Sequence, residues 1–490
     1  MTHVTEPSGR GPVGDPGDVE APDPRRWKAL AVCLVAGFMN LLDVSIVNVA
    51  LPSIRSSLNA SVSDLQWVLS GYALTFGLVL VPAGRLGDAR GRRGVFMVGL
   101  ALFTATSAAA GLAPGPGWLS GARFVQGAAG GLVNPQVAGL IQQLFRGAER
   151  GTAFGLLGAT IGVSTAVGPL LGGAIIALAG TADGWRWVFF VNVPVGMLAL
   201  PLAYRLIPPD EARRGRGLRS SLDPVGVLLL GVGVLALLLP FVEEREWAGR
   251  GKWLLIPVAL AVLGAFVAWE RRCRARGGEP VVDLALFRVR SYALGVTIAL
   301  LYFAGFTGIF FMFALYLQSG LGYTALAAGL AITPFALGSA AASALGGRAV
   351  TRRGRPLVTA GLLLVAVGLV ATAVADRLAS GRQVGLALAL PLLVAGVGSG
   401  LVISPNQTLT LAQVPVRGGG SAAGVLQTAQ RIGSSVGIAA VGSVFFATVA
   451  SSREDWALGF RNALWVAVAF VATALAVAIL DLLTAAARHR

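Results

Sequence analysis

An all-α integral membrane protein, two six-helix bundles with two further helices between them, is predicted by three observations. The 490-residue chain is 55% hydrophobic and only 13% charged, with a mean hydropathy of +0.74, whereas a soluble domain is about one quarter charged. Fourteen windows of the sequence are long and apolar enough to cross a bilayer, which takes ~20 residues of helix. The chain also repeats itself weakly at an offset of 263–269 residues.

The windows, in order, are 28–50, 65–84, 94–113, 118–140, 152–179, 186–207, 224–242, 253–269, 292–318, 325–346, 356–375, 383–404, 421–448 and 460–482. The first 24 residues, MTHVTEPSGRGPVGDPGDVEAPDP, are rich in glycine, proline and acids and hold no apolar stretch. They read as a disordered tail and not as a signal peptide. The expected layout is a tail (1–27), a first bundle (28–207), a linker carrying the two extra helices (208–291), a second bundle (292–482) and a short tail (483–490).

An even number of spans puts both termini on one side. With the N-terminus inside, 28 of the 39 Lys and Arg fall in cytoplasmic segments, 9 outside and 2 within spans. That bias predicts a multi-pass protein of the cell (cytoplasmic) membrane with both termini cytoplasmic. The net charge of +16 is mostly this asymmetry. Scattered over many short loops, it suits anionic lipid headgroups and not nucleic acid. Cys33 falls in a span and Cys273 in a cytoplasmic loop, so no disulfide is implied. His3 and His489 are terminal, which leaves no histidine for an internal active site or metal centre. Neither Lys28 nor Lys252 ends a phosphate-binding glycine loop. No catalytic group, metal or cofactor is expected.

The repeat has three members. Gly84-Arg85, four residues, Arg90-Gly91-Arg92 matches Gly347-Arg348, four residues, Arg353-Gly354-Arg355. GAAGGLVNPQ from Gly127 resembles GVGSGLVISPNQ from Gly396, and GTAFG from Gly151 resembles GSAAG from Gly420. Both arginine knots lie in cytoplasmic loops, so the halves run parallel, a plan in which a transported molecule binds between halves near mid-membrane.

Of the carboxylates only Asp43 sits deep in a span, and of the basic residues only Arg123 and Arg431. A charge at mid-bilayer costs at least ~2.5–3.5 kcal/mol, so it needs a use or a partner. A static Asp–Arg tie between helices would account for it; so would a proton site. Asn40 and Asp43 share one face of the first helix, and Arg123, Gln126, Gly130 and Asn134 one face of the fourth. Burial favours the neutral acid at Asp43, and a nearby arginine favours the carboxylate. A group under such opposed pulls can change protonation as its access to water changes. GATIGVSTAVGPLLGG, Gly158 to Gly173, packs small residues around Pro169, which suits close helix approach and a kink.

These stretches together resemble the major facilitator superfamily, and within it the fourteen-span drug:proton antiporter branch. Gly84 to Phe96 resembles the superfamily's loop motif: Asp88, Gly91, Arg92 and Arg93 match, while Ala89 stands where a basic residue is usual. LSGARFVQGAAGG, Leu119 to Gly131, is similar to its fourth-helix motif. GPLLGG, Gly168 to Gly173, resembles the fifth-helix antiporter motif, with Ser164 in place of the leading glycine. LDVSIVNVALPSI from Leu42 and WRWVFFVNVPVG from Trp185 resemble signatures of the fourteen-span branch.

The resemblance implies a monomeric exporter of small amphipathic organic molecules, drugs or antibiotics, driven by protons through alternating access. Asp43 and Arg123 would handle the proton. Gly84, Asp88, Gly91, Arg92 and Arg93 would latch the halves at the cytoplasmic side, although four arginines would also serve as a plain orientation signal. Gly168, Pro169, Gly172 and Gly173 would form the antiporter motif. Asn40, Gln126, Asn134, Tyr302, Phe306, Phe310 and Arg431 are the candidates for the substrate cavity, and the aromatics of the ninth helix, Phe313 included, could equally face lipid. An uptake symporter for a small metabolite is the alternative, disfavoured by GPLLGG. A membrane sensor or enzyme is a second alternative, disfavoured by loops of no more than about two dozen residues and by the missing catalytic cluster.

Overall fold

The computed structural model describes residues 23–180, 183–209, 223–242, 247, 249–452 and 455–488, and among them every regular element is helical. The N-terminal tail to residue 22, the arginine-rich stretch 210–222 and the last two residues lie outside the described residues. Helices are what a bilayer permits, because each backbone N–H and C=O must be satisfied within the segment.

The first six are α1 (Arg26–Leu58), α2 (Val62–Arg90), α3 (Arg92–Gly111), α4 (Pro116–Leu144), α5 (Gly147–Ala179) and α6, in which Gly184–Phe190 continues as Asn192–Leu206. The pair α7 (Pro224–Val242) and α8 (Leu255–Ala275) follows. The last six are α9 (Arg290–Leu315, extended by a π turn over Tyr316–Gly320), α10 (Ala325–Arg353), α11 (Arg355–Leu378), α12 (Ala389–Leu411), α13 (Gly419–Ser451) and α14 (Trp456–Arg488).

Helix ends follow local chemistry. Ser61 and Asp64 form a reciprocal capping box at the start of α2. Gly91 at φ +108° and Gly354 at φ +55° break α2 from α3 and α10 from α11. The two breaks occupy equivalent places in the sequence repeat, and a side chain would be strained at either.

Two large apolar clusters form the core, and the first runs across from the first half to Tyr292, Ala422 and Leu426 of the second. Met39, Phe76, Phe96, Phe103 and Phe154 anchor one; Tyr302, Phe313, Leu362, Phe445 and Phe460 anchor the other. The halves meet along two seams, α2 against α13 and α5 against α10, and small residues set both distances. A Cβ built at Gly84 would stand 2.2 Å from the carbonyl oxygen of Gly420, and one built at Gly347 would stand 2.4 Å from that of Gly151. The pair α7–α8 lies at the periphery. Val234 and Leu238 of α7 pack on Leu74 of α2 beside Ile432 of α13, so α7 covers the α2–α13 seam from outside.

Thirteen helices of the described residues are long and apolar enough to cross a membrane, one fewer than the fourteen windows predict. The one left out is α4. It has 29 residues, ample length, but carries Arg123, Gln126, Asn134, Gln136, Gln142 and Gln143, and most of these are buried in the first half instead of facing lipid.

Candidate functional site

Asp43 sits at the heart of the first half with no solvent exposure. One carboxylate oxygen accepts from Arg123 Nη1. The other accepts from Gln126 Nε2 at 3.0 Å and Asn192 Nδ2 at 3.0 Å. Arg123, 1% exposed, also donates to Gln126 Oε1 at 2.8 Å and to the Val68 carbonyl at 3.2 Å. Ser107 Oγ accepts from Gln126 at 2.7 Å and from Asn192 at 3.4 Å. The Arg123 guanidinium lies 4.2 Å over the Tyr72 ring and 5.8 Å from that of Phe189. Tyr72 donates to Asn40 Oδ1, and Asn40 Nδ2 donates to the Gly130 carbonyl at 3.2 Å.

Five helices thus converge on one acid. A buried ion pair satisfied in this way roughly balances its desolvation, and removing one partner costs ~3–5 kcal/mol because the other charge is stranded.

The fifth-helix motif supports this arrangement from behind. A Cβ at Gly168 would lie 2.3 Å from Ser45 Cβ, and one at Gly172 would lie 2.9 Å from Ile46 Cγ1. Both glycines let α5 press on α1 next to Asp43. Pro169 is inside α5, beside Gly329 of α10. Gly173 has open space around it and makes no such approach.

A second polar site joins the halves at the end of the molecule predicted to be cytoplasmic. Asp88 Oδ1 accepts from the Gly420 N–H at 2.9 Å, and Oδ2 accepts from the Ser421 N–H at 2.8 Å and its hydroxyl at 3.0 Å. Asp88 therefore caps the first turn of α13, where a helix favours an anion. Arg92 donates to Asp88 at 2.8 Å, to the Gly139 carbonyl at 2.5 Å and to the carbonyl of Val416 just before α13. The Arg92 side chain is 5% exposed and that of Asp88 0%. Arg93 instead lies 4.6 Å over the Tyr204 ring. These bonds tie the two halves together at this end.

Not every predicted residue joins a site. Asn134 shares the face of Arg123, but its contact is through its backbone carbonyl, 3.5 Å from Gln427 Nε2 of α13. Arg431 does not reach Asp43; it stands 4.4 Å over the Phe76 ring. Tyr302 is fully buried and donates to Ser399 Oγ at 2.8 Å, and Phe313 is 1% exposed. The lipid-facing reading fails for these two, because the helix buries that face in the second core. Phe306 and Phe310 are half-buried and cluster with Phe335, with ring centroids 5.6 and 5.0 Å away. Asp43 is also not the sole buried acid: Asp376, Glu270 and Asp481 are buried near helix ends. Asp376 accepts from Tyr316 at 2.7 Å and Arg461 at 3.0 Å.

Comparison with known proteins agrees with this architecture. The family model described as Major Facilitator Superfamily matches residues 33–438. The chain is 38% identical over 443 residues to a Streptomyces coelicolor protein named "Probable actinorhodin transporter", covering 89% of this chain and 76% of that one. It is 36% identical over 442 residues to the puromycin resistance protein pur8 of Streptomyces alboniger, covering 89% and 85%. Among solved structures, a proton:xylose symporter of this superfamily superposes with a TM-score of 0.63 at 17% identity, covering 92% of this chain and 94% of that one. The match over most of the chain, at these identities and with this helical arrangement, places the protein in the major facilitator superfamily of membrane transporters.

Proposed function

We propose that the protein exports small amphipathic organic molecules, of the drug or antibiotic class, in exchange for protons. The two bundles, 28–207 and 292–482, would rock about a site between them, with both termini in the cytoplasm. The observation that carries the reading is the Asp43–Arg123 pair: an ionisable acid with no exposure, held by neutral amides and one arginine inside a membrane helix bundle. Intramembrane acids of this kind mark proton and ion pathways. Relatives named for resistance and export, including a tetracenomycin C resistance and export protein at 32% identity, support outward transport. The fourteen-span count and the GPLLGG stretch support the antiporter branch.

Ionised, Asp43 and Arg123 satisfy each other in the dry site; protonated, Asp43 is neutral and leaves the Arg123 charge in need of water or another partner. That difference ties proton occupancy to the side on which the cavity is open. Asp88, Arg92 and the first turn of α13 would hold the cytoplasmic side shut until the cycle turns.

The test uses Asp43→Asn, nearly the same shape but fixed in the neutral state. Inverted vesicles with an imposed pH gradient should take up fluorescent amphiphiles with the wild-type protein and not with the variant. Purified wild type should release protons on binding them, and the variant should not. Because Asp43→Asn strands Arg123, the double variant Asp43→Asn, Arg123→Gln serves as a control in which neither charge remains. If the folded single variant keeps both activities, the coupling scheme is wrong; gradient-driven flux in the opposite direction would make the protein a symporter.

A further inference from the structure

We propose, on the reading above, that the transported molecule is an organic monoanion and that Arg431 receives its acid group. Arginines buried in the helix packing are matched with carboxylates: Arg123 with Asp43, Arg92 with Asp88, Arg461 with Asp376, and Arg355 with Asp481. Arg431 departs from this pattern. It lies well inside the 33-residue helix α13, is half-buried, and has no carboxylate within salt-bridge distance among the described residues. Its recorded neighbour is the face of Phe76, across the seam between the halves. A ring face orients a guanidinium but leaves its N–H donors unused.

The surroundings are polar and incomplete. On the same face of α13, one turn earlier, the buried hydroxyl of Thr428 has no hydrogen-bond partner. Buried polar atoms are normally satisfied, so an unpartnered hydroxyl beside an unmatched cation calls for an explanation. A planar acid group, carboxylate or phenolate, supplies what is missing: it accepts the guanidinium fork and the Thr428 hydroxyl together. Phe76 is itself buried and stacked on Tyr72 at 5.9 Å, so it holds the guanidinium in place at the seam. The Arg123 guanidinium on Tyr72 is already neutralised by Asp43, so the mid-membrane charge left for a ligand is that of Arg431. A cation placed here would face repulsion, and a neutral molecule would leave the guanidinium unmatched.

The experiment titrates purified full-length protein, with no proton gradient, with three fluorescent probes of one shape: 9-anthracenecarboxylate, its neutral amide, and 9-anthracenemethylamine. The carboxylate should bind at least about tenfold more tightly than the amide, and the amine most weakly. Arg431→Gln should weaken the carboxylate roughly ten- to a hundredfold and shift the amide by no more than about twofold, with part of the loss recovered in Arg431→Lys. Equal binding of the three probes, binding of none, or an equal loss of all three in Arg431→Gln would overturn the proposal. The same titration on Asp43→Asn separates the two readings. An anion preference that survives there stands whether or not export proves proton-driven, and proton-driven export with no anion preference would reject the Arg431 site alone.

Discussion

The two seams between the halves have the same shape and different chemistry. At α2–α13, Gly84 lies on Gly420; at α5–α10, Gly347 lies on Gly151. The sequence repeat carries each pair into the other, so the close approach is copied faithfully. The hydrogen bonds are not. Asp88 binds the first turn of α13, whereas Thr351 at the equivalent position turns back 3.5 Å to the Arg348 carbonyl in its own helix. Arg92 reaches across the seam to Val416, while its counterpart Arg355 stays home, pairing with Asp481 of α14 at 3.1 Å and donating to the Ser291 carbonyl at 2.7 Å. Steric contact holds both seams, but a charged clasp holds only one. On the proposed scheme, a single clasp would give the closed state one place from which to open.

The strongest way to break this asymmetry is Asp88→Asn. It removes a buried charge paired with Arg92, and the closed state should lose about 3–5 kcal/mol. In a background without Cys33 and Cys273, a thiol reagent should label a cysteine placed at Gln142, buried beside Gly419, much faster than in the parent. Transport should fall while expression holds; parent-level labelling with parent-level transport would end the clasp idea. Next come Gly84→Ala and Gly347→Ala, which force a Cβ against a backbone oxygen and should each cost about 1–3 kcal/mol. Thermal unfolding in detergent should show the two losses alike, because the packing is symmetric; a large gap between them would mean the seams are not equivalent. The smallest effect is expected from Thr351→Val, within about 0.5 kcal/mol and with unchanged transport, since the Thr351 hydroxyl bonds only within its own helix.

What could be read beforehand follows the same division. Asp43, Arg123 and Gln126 stood out because a charge or amide in an apolar run is conspicuous, and helical spacing put them on facing surfaces. Asp88 stood out because arginines alone do not require an acid. Asn192, Ser107 and Tyr72 were missed as partners of this site. Each is an unremarkable polar residue on its own helix, and only the packing of α2, α3 and α6 brings Asn192 to Asp43, Tyr72 to Arg123 and Ser107 to Gln126. Asn192 lay inside the quoted WRWVFFVNVPVG stretch, which was the available signal. Asp376 and Asp481 were assigned to helix ends, where acids are usually solvated; the longer helices of the folded chain bury them. The sequence does place α4 among the spans, over 118–140, although its polar groups, which face other helices, lower its hydropathy below that of the other thirteen.

The three charges at mid-membrane, Asp43, Arg123 and Arg431, also fix how the cycle would respond to voltage. On the proposed scheme, the substrate-loaded carrier holds an ionised Asp43, two guanidiniums and one anion, and is electrically neutral there. The proton-loaded carrier on its return holds a neutral Asp43 and two guanidiniums, and carries two positive charges. Each charge crossing the field is worth ~2.3 kcal/mol per 100 mV, so an interior-negative potential of that size would favour the return by about 4.6 kcal/mol. It would leave the outward stroke nearly untouched. Membrane voltage would then reset the carrier, and the concentration of the exported molecule would set the pace of its departure.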